Sequence, residues 1–156
     1  TNVKEGKAAD NIVSDNLRVW SNVAKKYNIP LFVHYSGVWD TEYCKAHPEE
    51  QAKYDANMAH VGAVMLEGKY LDDVLIPQMK ELREEYGIAG VWIDGDCWAV
   101  APDFSEKGKQ IYGITEDMPK RQLNQIMHDA YLRYLQKYVD ELHNYDPDFK
   151  VISNYE

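Results

Sequence analysis

The feature that most constrains this chain is an alternation. Three stretches carry apolar residues at helical spacing, and each is followed within a few residues by a short apolar run. The first covers about residues 9 to 27 and sets Val13, Leu17, Trp20, Ala24 and Tyr27 on one stripe, the pattern of a helix with one buried face. It leads to Ile29-Pro30-Leu31-Phe32-Val33-His34, which reads as a strand with proline where a missing N–H is tolerated. The second stripe is Leu71, Leu75, Met79, Leu82 and Tyr86, and Pro77 within it predicts a kink or a restart. The strand Ile88 to Ile93 follows. A third helix opens after Thr115-Glu116-Asp117 with Pro119 near its first turn, carries Leu123, Met127, Ala130, Tyr134, Tyr138 and Leu142, and gives way through Tyr145-Asp146-Pro147-Asp148 to a last strand, Phe149 to Ser153. The order αβαβαβ predicts an α/β protein with parallel strands. The units also keep step, because Tyr27, Tyr86 and Tyr145 recur every 59 residues and His34, Asp94 and Asn154 every 60.

Loop lengths add direction. The helix-to-strand links are short. The strand-to-helix links, roughly Tyr35 to Gly68 and Gly95 to Met118, are long, and long connections in a compact domain usually serve function. Both leave the C-terminal ends of strands, where a (β/α)8 barrel or an open doubly wound sheet builds its site. Three strands cannot close a barrel, and the last strand runs almost into the C-terminus. The expectation is that residues 1–156 form part of a single (β/α)8 TIM barrel, cut from something larger. The open three-stranded sheet is the alternative.

Composition sets limits on this reading. With 45% hydrophobic and 28% charged residues, the chain is globular in composition, and no apolar run approaches the roughly 18 residues of a membrane span. A net charge of −9 argues against nucleic-acid partners. The two cysteines, Cys44 and Cys97, make neither a disulfide framework nor a CxxC metal pair; free thiols are the expectation, with a single bridge between the two as the alternative.

Side chains alternate faces along a strand. Val91 and Ile93 should therefore meet helices, while Trp92 and Asp94 point the other way, into a barrel. The same parity turns Phe32 and His34 inward, then Ile152 and Asn154, with Glu156 on that face if the strand continues. Asp94 stands out in Gly90-Val91-Trp92-Ile93-Asp94-Gly95-Asp96, because carboxylates at the mouth of a buried strand are costly unless they do something. A bland reading competes: Asp-Gly is a common turn pair, Asp96 is readily a loop carboxylate, and His34 could be a satisfied core histidine. Three chemistries remain. Paired carboxylates across a barrel mouth suit glycoside hydrolysis, about 5 Å apart in a retaining enzyme. His34 with Asp94, Asp96 and Glu156 could instead hold a divalent metal, although no HxH or HExxH pattern supports it. Nucleophilic serine catalysis lacks its GxSxG elbow, since Tyr35-Ser36-Gly37 does not match.

These residues also carry a resemblance. Val23-Ala24-Lys25-Lys26-Tyr27 through Phe32-Val33-His34-Tyr35-Ser36-Gly37-Val38-Trp39-Asp40, with His47-Pro48-Glu49 beyond, resembles the α-L-fucosidase type of glycoside hydrolase. Tyr70-Leu71 through Ile76-Pro77-Gln78-Met79-Lys80-Glu81-Leu82, then Tyr86-Gly87 and Gly90-Val91-Trp92-Ile93-Asp94-Gly95, is similar to that family's helix and Trp-Phe-Asp-Gly strand end. The match covers about residues 20–98. His34 stands where the family tends to have tyrosine, and the stretch from Asp96 to Asn124 departs from it. The resemblance implies a (β/α)8 barrel, a retaining double displacement with Asp94 as nucleophile, and no metal or other cofactor. It favours a secreted or periplasmic location. Glu156, chosen by parity, is the expected acid/base. His34, Tyr35, Trp39, Trp92, Asp96, Trp98 and Asn154 are expected to line a carbohydrate subsite. The partners expected are a carbohydrate substrate and the remainder of the barrel, without which the segment should be inactive. A non-catalytic carbohydrate-binding barrel and a metal-dependent hydrolase are the competing readings.

Overall fold

The computed structural model of the protein describes residues 14–54, 62–94 and 101–153. Its first helix, α1 (Asn16–Lys26), begins where the Asp15 carboxylate accepts a hydrogen bond from the Arg18 backbone N–H at 2.9 Å, satisfying one of the donors a helix start leaves open. It ends on Lys25 and Lys26, which suit the negative end of the helix dipole. Three strands follow at intervals: β1 (Phe32–Ser36), β2 (Gly90–Asp94) and β3 (Lys150–Ser153). They form one parallel sheet in the order β1-β2-β3. The parallel α/β reading of the sequence is the observed fold.

The helical layer lies on one face of this sheet. Between β1 and β2 runs a continuous helical stretch made of a π-wound turn Leu71–Leu75, the α-helix α3 (Ile76–Glu81) and a second π-wound turn Leu82–Tyr86. Pro77 stands where the winding changes, because the π-wound turn ends at Leu75 and α3 starts at Ile76, so the expected restart is observed. It sits in the first turn of α3, and the wider turn before it gives the ring room. Gly87 stops the helix in the left-handed conformation at φ 65°, and its N–H donates to the Arg83 carbonyl at 2.9 Å, a glycine stop of the usual physical kind. Between β2 and β3 lies the long helix α5 (Lys120–Tyr145). All six residues of its expected stripe, from Leu123 to Leu142, are buried. Met127, Ala130, Tyr134, Tyr138 and Leu142 pack with Leu75, Met79, Val91 and Ile93 in one core. Val91 and Ile93 are fully buried, each worth about 1.5–3 kcal/mol of transfer free energy.

The first helix uses its stripe only in part. Ala24 is buried and Leu17 packs partly against the core, but Trp20 and Tyr27 are exposed at 65% and 63%. The first strand also starts three residues later than its expected beginning at Ile29 and runs on to Ser36. The chain between spends itself on a helix stop, with Asn28 at φ 54° and the Ile29 N–H bonded to the Ala24 carbonyl.

The two long strand-to-helix connections hold structure that hydrophobic periodicity does not reveal. The first contains α2 (Thr41–Ala46) and a short 3-10 turn, Pro48–Glu50. The second contains α4 (Glu106–Tyr112). Each short helix is opened by a side-chain cap: Asp40 accepts from Tyr43 N–H at 2.9 Å, and Ser105 accepts from Gly108 N–H at 2.9 Å. The connections also grip each other. Buried Glu50 takes a hydrogen bond from the Lys107 ammonium at 2.7 Å and one from the Lys69 N–H at 2.8 Å. Buried Asp103 accepts from the N–H groups of Lys53 and Ser105 at 2.9 and 3.0 Å.

Candidate active site

The strands place their side chains as parity requires. Register pairs Phe32 with Gly90, His34 with Trp92, Ser36 with Asp94, and Trp92 with Ile152. Residues paired in register share a face, so Phe32, His34, Ser36, Trp92, Asp94 and Ile152 all lie on the side away from the helices. That face is open: Phe32, Trp92 and Ile152 are 38%, 44% and 50% exposed.

Two of the expected site residues meet here. His34 Nε2 lies 3.0 Å from Asp94 Oδ2, a diagonal contact between adjacent strands. The imidazole also stands edge-on to the Trp92 indole, with ring centres 5.3 Å apart. Asp94 thus presents one oxygen to His34, next to an aromatic surface, at the C-terminal end of the central strand. With protonated His34 this is a charge-assisted hydrogen bond. Both side chains are about half exposed, at 56% and 45%, so water screens the pair.

Ser36 is the residue that sequence reasoning passes over. Considered only as a nucleophile, it lacks a motif. The longer β1 instead sets it directly across from Asp94. Just beyond it the Gly37 N–H donates to the Asp94 carbonyl at 2.9 Å, and the buried Tyr134 hydroxyl donates to the Gly37 carbonyl at 2.6 Å. The strand end that carries Ser36 is therefore fixed to both β2 and α5.

Tyr35 goes the other way. Its hydroxyl turns into the helical layer and donates to Gln78 Oε1 at 2.5 Å. Burial raises its pKa, as it does for neighbouring Tyr70, so both phenols stay neutral at ordinary pH. Tyr70 donates to Oδ2 of the buried Asp40 at 3.4 Å. Asp40, through its two oxygens, thus ties the start of α2 to the turn that precedes α3. Trp39 is partly buried in the same loop. It pairs backbone to backbone with Ala63 and packs so close to Gly62 that a Cβ there would lie 2.6 Å from the indole nitrogen. Gly62 at φ 109° is a position that only glycine fills without strain. Together His34, Tyr35, Ser36, Trp39, Asp40, Tyr70 and Gln78 line a pocket of about 320 Å³.

Cys44 is a free, buried thiol whose pKa burial and nearby Asp40 push up to about 12, which makes it inert as a nucleophile. No group of three or more His, Cys, Asp or Glu side chains able to hold a metal occurs among the described residues. Asp96, Cys97, Trp98, Asn154 and Glu156 lie outside the described residues.

No protein family and no curated protein matches this sequence. Solved structures do match its fold. An α-L-fucosidase, isoenzyme 2 from Paenibacillus thiaminolyticus, superposes with a TM-score of 0.72 at 17% identity over 93% of this chain and 23% of its own. The α-galactosidase from Lactobacillus brevis superposes with a TM-score of 0.60 at 13% identity over 88% of this chain and 18% of its own. The chain therefore has the fold of a segment of glycoside hydrolase barrel proteins. The resemblance to the α-L-fucosidase type, carried in the sequence by the strand ends, recurs at the level of fold, while the chain spans less than a quarter of the matched chains.

Proposed function

We propose that this chain is part of a barrel glycoside hydrolase that removes a terminal sugar, fucosidase-like, by a retaining double displacement. The observation that supports this reading best is the Asp94 carboxylate at the end of the central strand, hydrogen-bonded to His34 beside Trp92 on the open sheet face. In the first step an Asp94 oxygen attacks the anomeric carbon. The bond to the leaving oxygen breaks, and a second carboxyl, for which we propose Glu156, gives that oxygen a proton. The same carboxylate then takes a proton from water as the water attacks the glycosyl–Asp94 ester, and the sugar leaves with its configuration retained.

The hydrogen bond to His34 engages Oδ2 of Asp94 and holds the carboxylate at the strand end. Trp92 offers an aromatic face to the sugar ring. Trp39, Trp98, Asp96 and Asn154 are proposed as further walls of the subsite, with Tyr35 supporting it from behind through Gln78. The remainder of the barrel supplies the opposite wall, and its closure would strengthen the charge interactions that water now weakens. The isolated 156-residue chain is therefore expected to be inactive.

The test is Asp94→Asn in the natural polypeptide, assayed on aryl α-L-fucosides and aryl α-galactosides. Turnover should fall to below a few per cent of wild type, with the unfolding transition unchanged. Retention of more than that overturns the nucleophile assignment. A wild-type protein that binds these sugars without cleaving any would favour the non-catalytic carbohydrate-binding barrel.

A further inference from the structure

We infer that the pocket beside β1 is a subsite for a protonated primary amine, that of an unacetylated amino sugar adjoining the sugar held at Asp94, with the buried Asp40 carboxylate as its counter-charge. The inference rests on the proposed action on carbohydrate, but not on Asp94 as the nucleophile.

Asp40 is 3% exposed, and a carboxylate is costly to bury unless something answers its charge. Its Oδ1 accepts from the Tyr43 N–H at 2.9 Å and so opens α2. That duty explains a cap but not a charge, because serine or asparagine caps a helix as well without one. The other oxygen, Oδ2, meets the Tyr70 hydroxyl at 3.4 Å, beyond the usual length of an O–H···O bond. None of the ion pairs among the described residues includes Asp40. His34, which lines the same pocket, is engaged with Asp94 instead. The field of Asp40 reaches its surroundings uncancelled. Burial raises the pKa of Tyr35, Tyr70 and Cys44, and the charge of Asp40 adds to the rise in each, with no lysine or arginine acting against it.

The walls suit a cation that also carries hydroxyls. Tyr35, Trp39 and Tyr70 line the cavity, and aromatic faces attract ammonium groups. An ammonium has three N–H donors to satisfy. Asp40 Oδ2, the Tyr70 hydroxyl oxygen and Gln78 Oε1 are acceptors on the lining residues. At about 320 Å³ the cavity falls within the range of small-molecule sites. The net charge of −9 on the chain adds a long-range bias toward cations.

The position of the pocket fixes what part of a ligand it takes. His34 and Ser36 belong both to the pocket and to the sheet face of Asp94. Among the described residues none from β2 lines it. A group seated here therefore lies next to the Asp94 carboxylate and not against it, as the neighbouring sugar of a chain does when the terminal sugar occupies the reaction centre.

Binding of D-glucosamine, D-glucose and N-acetyl-D-glucosamine to the natural polypeptide, followed by calorimetry at about pH 6 where the free amine is protonated, separates the charge from the sugar ring. Glucosamine should bind at least about tenfold more tightly than either neutral sugar. Asp40→Asn keeps a capping side chain and removes the charge. It should bring glucosamine and glucose to within about twofold of each other with the unfolding transition in place. Asp94→Asn should leave the preference intact. Equal binding of the three sugars by the wild-type protein overturns the inference, because a cation from the rest of the polypeptide would then already answer Asp40. This comparison decides even where the Asp40 variant fails to fold. A preference that survives Asp40→Asn, or that disappears in Asp94→Asn, overturns it as well, since the amine would then sit elsewhere. The readout needs no turnover, so it can fail while Asp94 is the nucleophile and succeed when Asp94→Asn stays active.

Discussion

The two faces of the sheet use the same three strands of backbone and come out opposite. On the helix side, Val91 and Ile93 are fully buried and locked among Leu75, Met79, Met127 and Tyr134. On the other side, Phe32, Trp92 and Ile152 are equally apolar yet 38–50% exposed, and they share that face with His34 and Asp94. One face is finished by this chain. The other has the composition of an interior but the exposure of a surface. Apolar strand residues on both faces are the mark of a sheet that is meant to be covered twice, and among the described residues the hydrogen-bonded His34–Asp94 pair sets the second face apart from the first.

The largest effect that can break this comparison is a pair of truncations in the 156-residue chain. Ile93→Ala should cost about 2–5 kcal/mol, because it empties a closely packed site. Trp92→Ala, one residue away on the open face, should change stability by within about 0.5 kcal/mol despite removing far more atoms. Denaturant unfolding of both variants gives the answer. Equal losses would mean that the second face is already covered in this chain.

How much of this is legible in the sequence follows the same division. Parity along β2 and the six-residue stripe of α5 are visible because burial imposes a regular period, and regular periods survive in sequence. The register of β1 is not, because a helix stop at Asn28 and the Ile29–Ala24 hydrogen bond consume the residues that look like its beginning. The two-residue extension to Ser36 is what puts Ser36, rather than His34, across from Asp94. The short helices α2 and α4 are invisible to periodicity, being too brief to show a stripe, but their caps at Asp40 and Ser105 are ordinary signals that a reading by hydrophobic pattern alone passes over. The grip between the loops is not readable at all, since Glu50 and Lys107 stand 57 residues apart.

That grip predicts the next effect. Burial pushes the Glu50 carboxyl up, but the hydrogen bond from Lys107 and the Lys69 N–H outweigh this and hold its pKa below the usual value. A carboxyl with a depressed folded pKa contributes stability that is fully present above its unfolded pKa, about 4.3. The contribution is lost as pH falls through the lower folded value. Lys107→Ala should cost about 1–3 kcal/mol near pH 7, because it strips a buried acceptor of its partner. The difference between wild type and variant should shrink as pH drops below about 4.3. Thermal unfolding across that range measures both. A difference that stays constant down to pH 3 would show that Lys107 acts through packing rather than through the Glu50 charge. The site face, by contrast, should be nearly indifferent to this substitution, because Glu50 belongs to the loops and not to the sheet.

The smallest expected effect concerns the pair on which the proposed function rests. His34 and Asp94 are in good hydrogen-bond geometry at 3.0 Å, but both are about half exposed in this chain, and exposed pairs are worth no more than about 1 kcal/mol. A double-mutant cycle with His34→Gln and Asp94→Asn in the 156-residue chain should therefore return a coupling of at most about 1 kcal/mol, falling further in high salt as the charges are screened. The same cycle in the natural polypeptide, with the second face covered, should return a larger coupling that resists salt, because the same two atoms then interact with less water between and around them. The cycle in the two contexts thus measures the covering of the open face directly. Identical, salt-sensitive couplings in both would mean that His34 and Asp94 stay at a water-exposed surface in the natural protein, and that the difference between the two faces of the sheet is permanent rather than a feature of this segment.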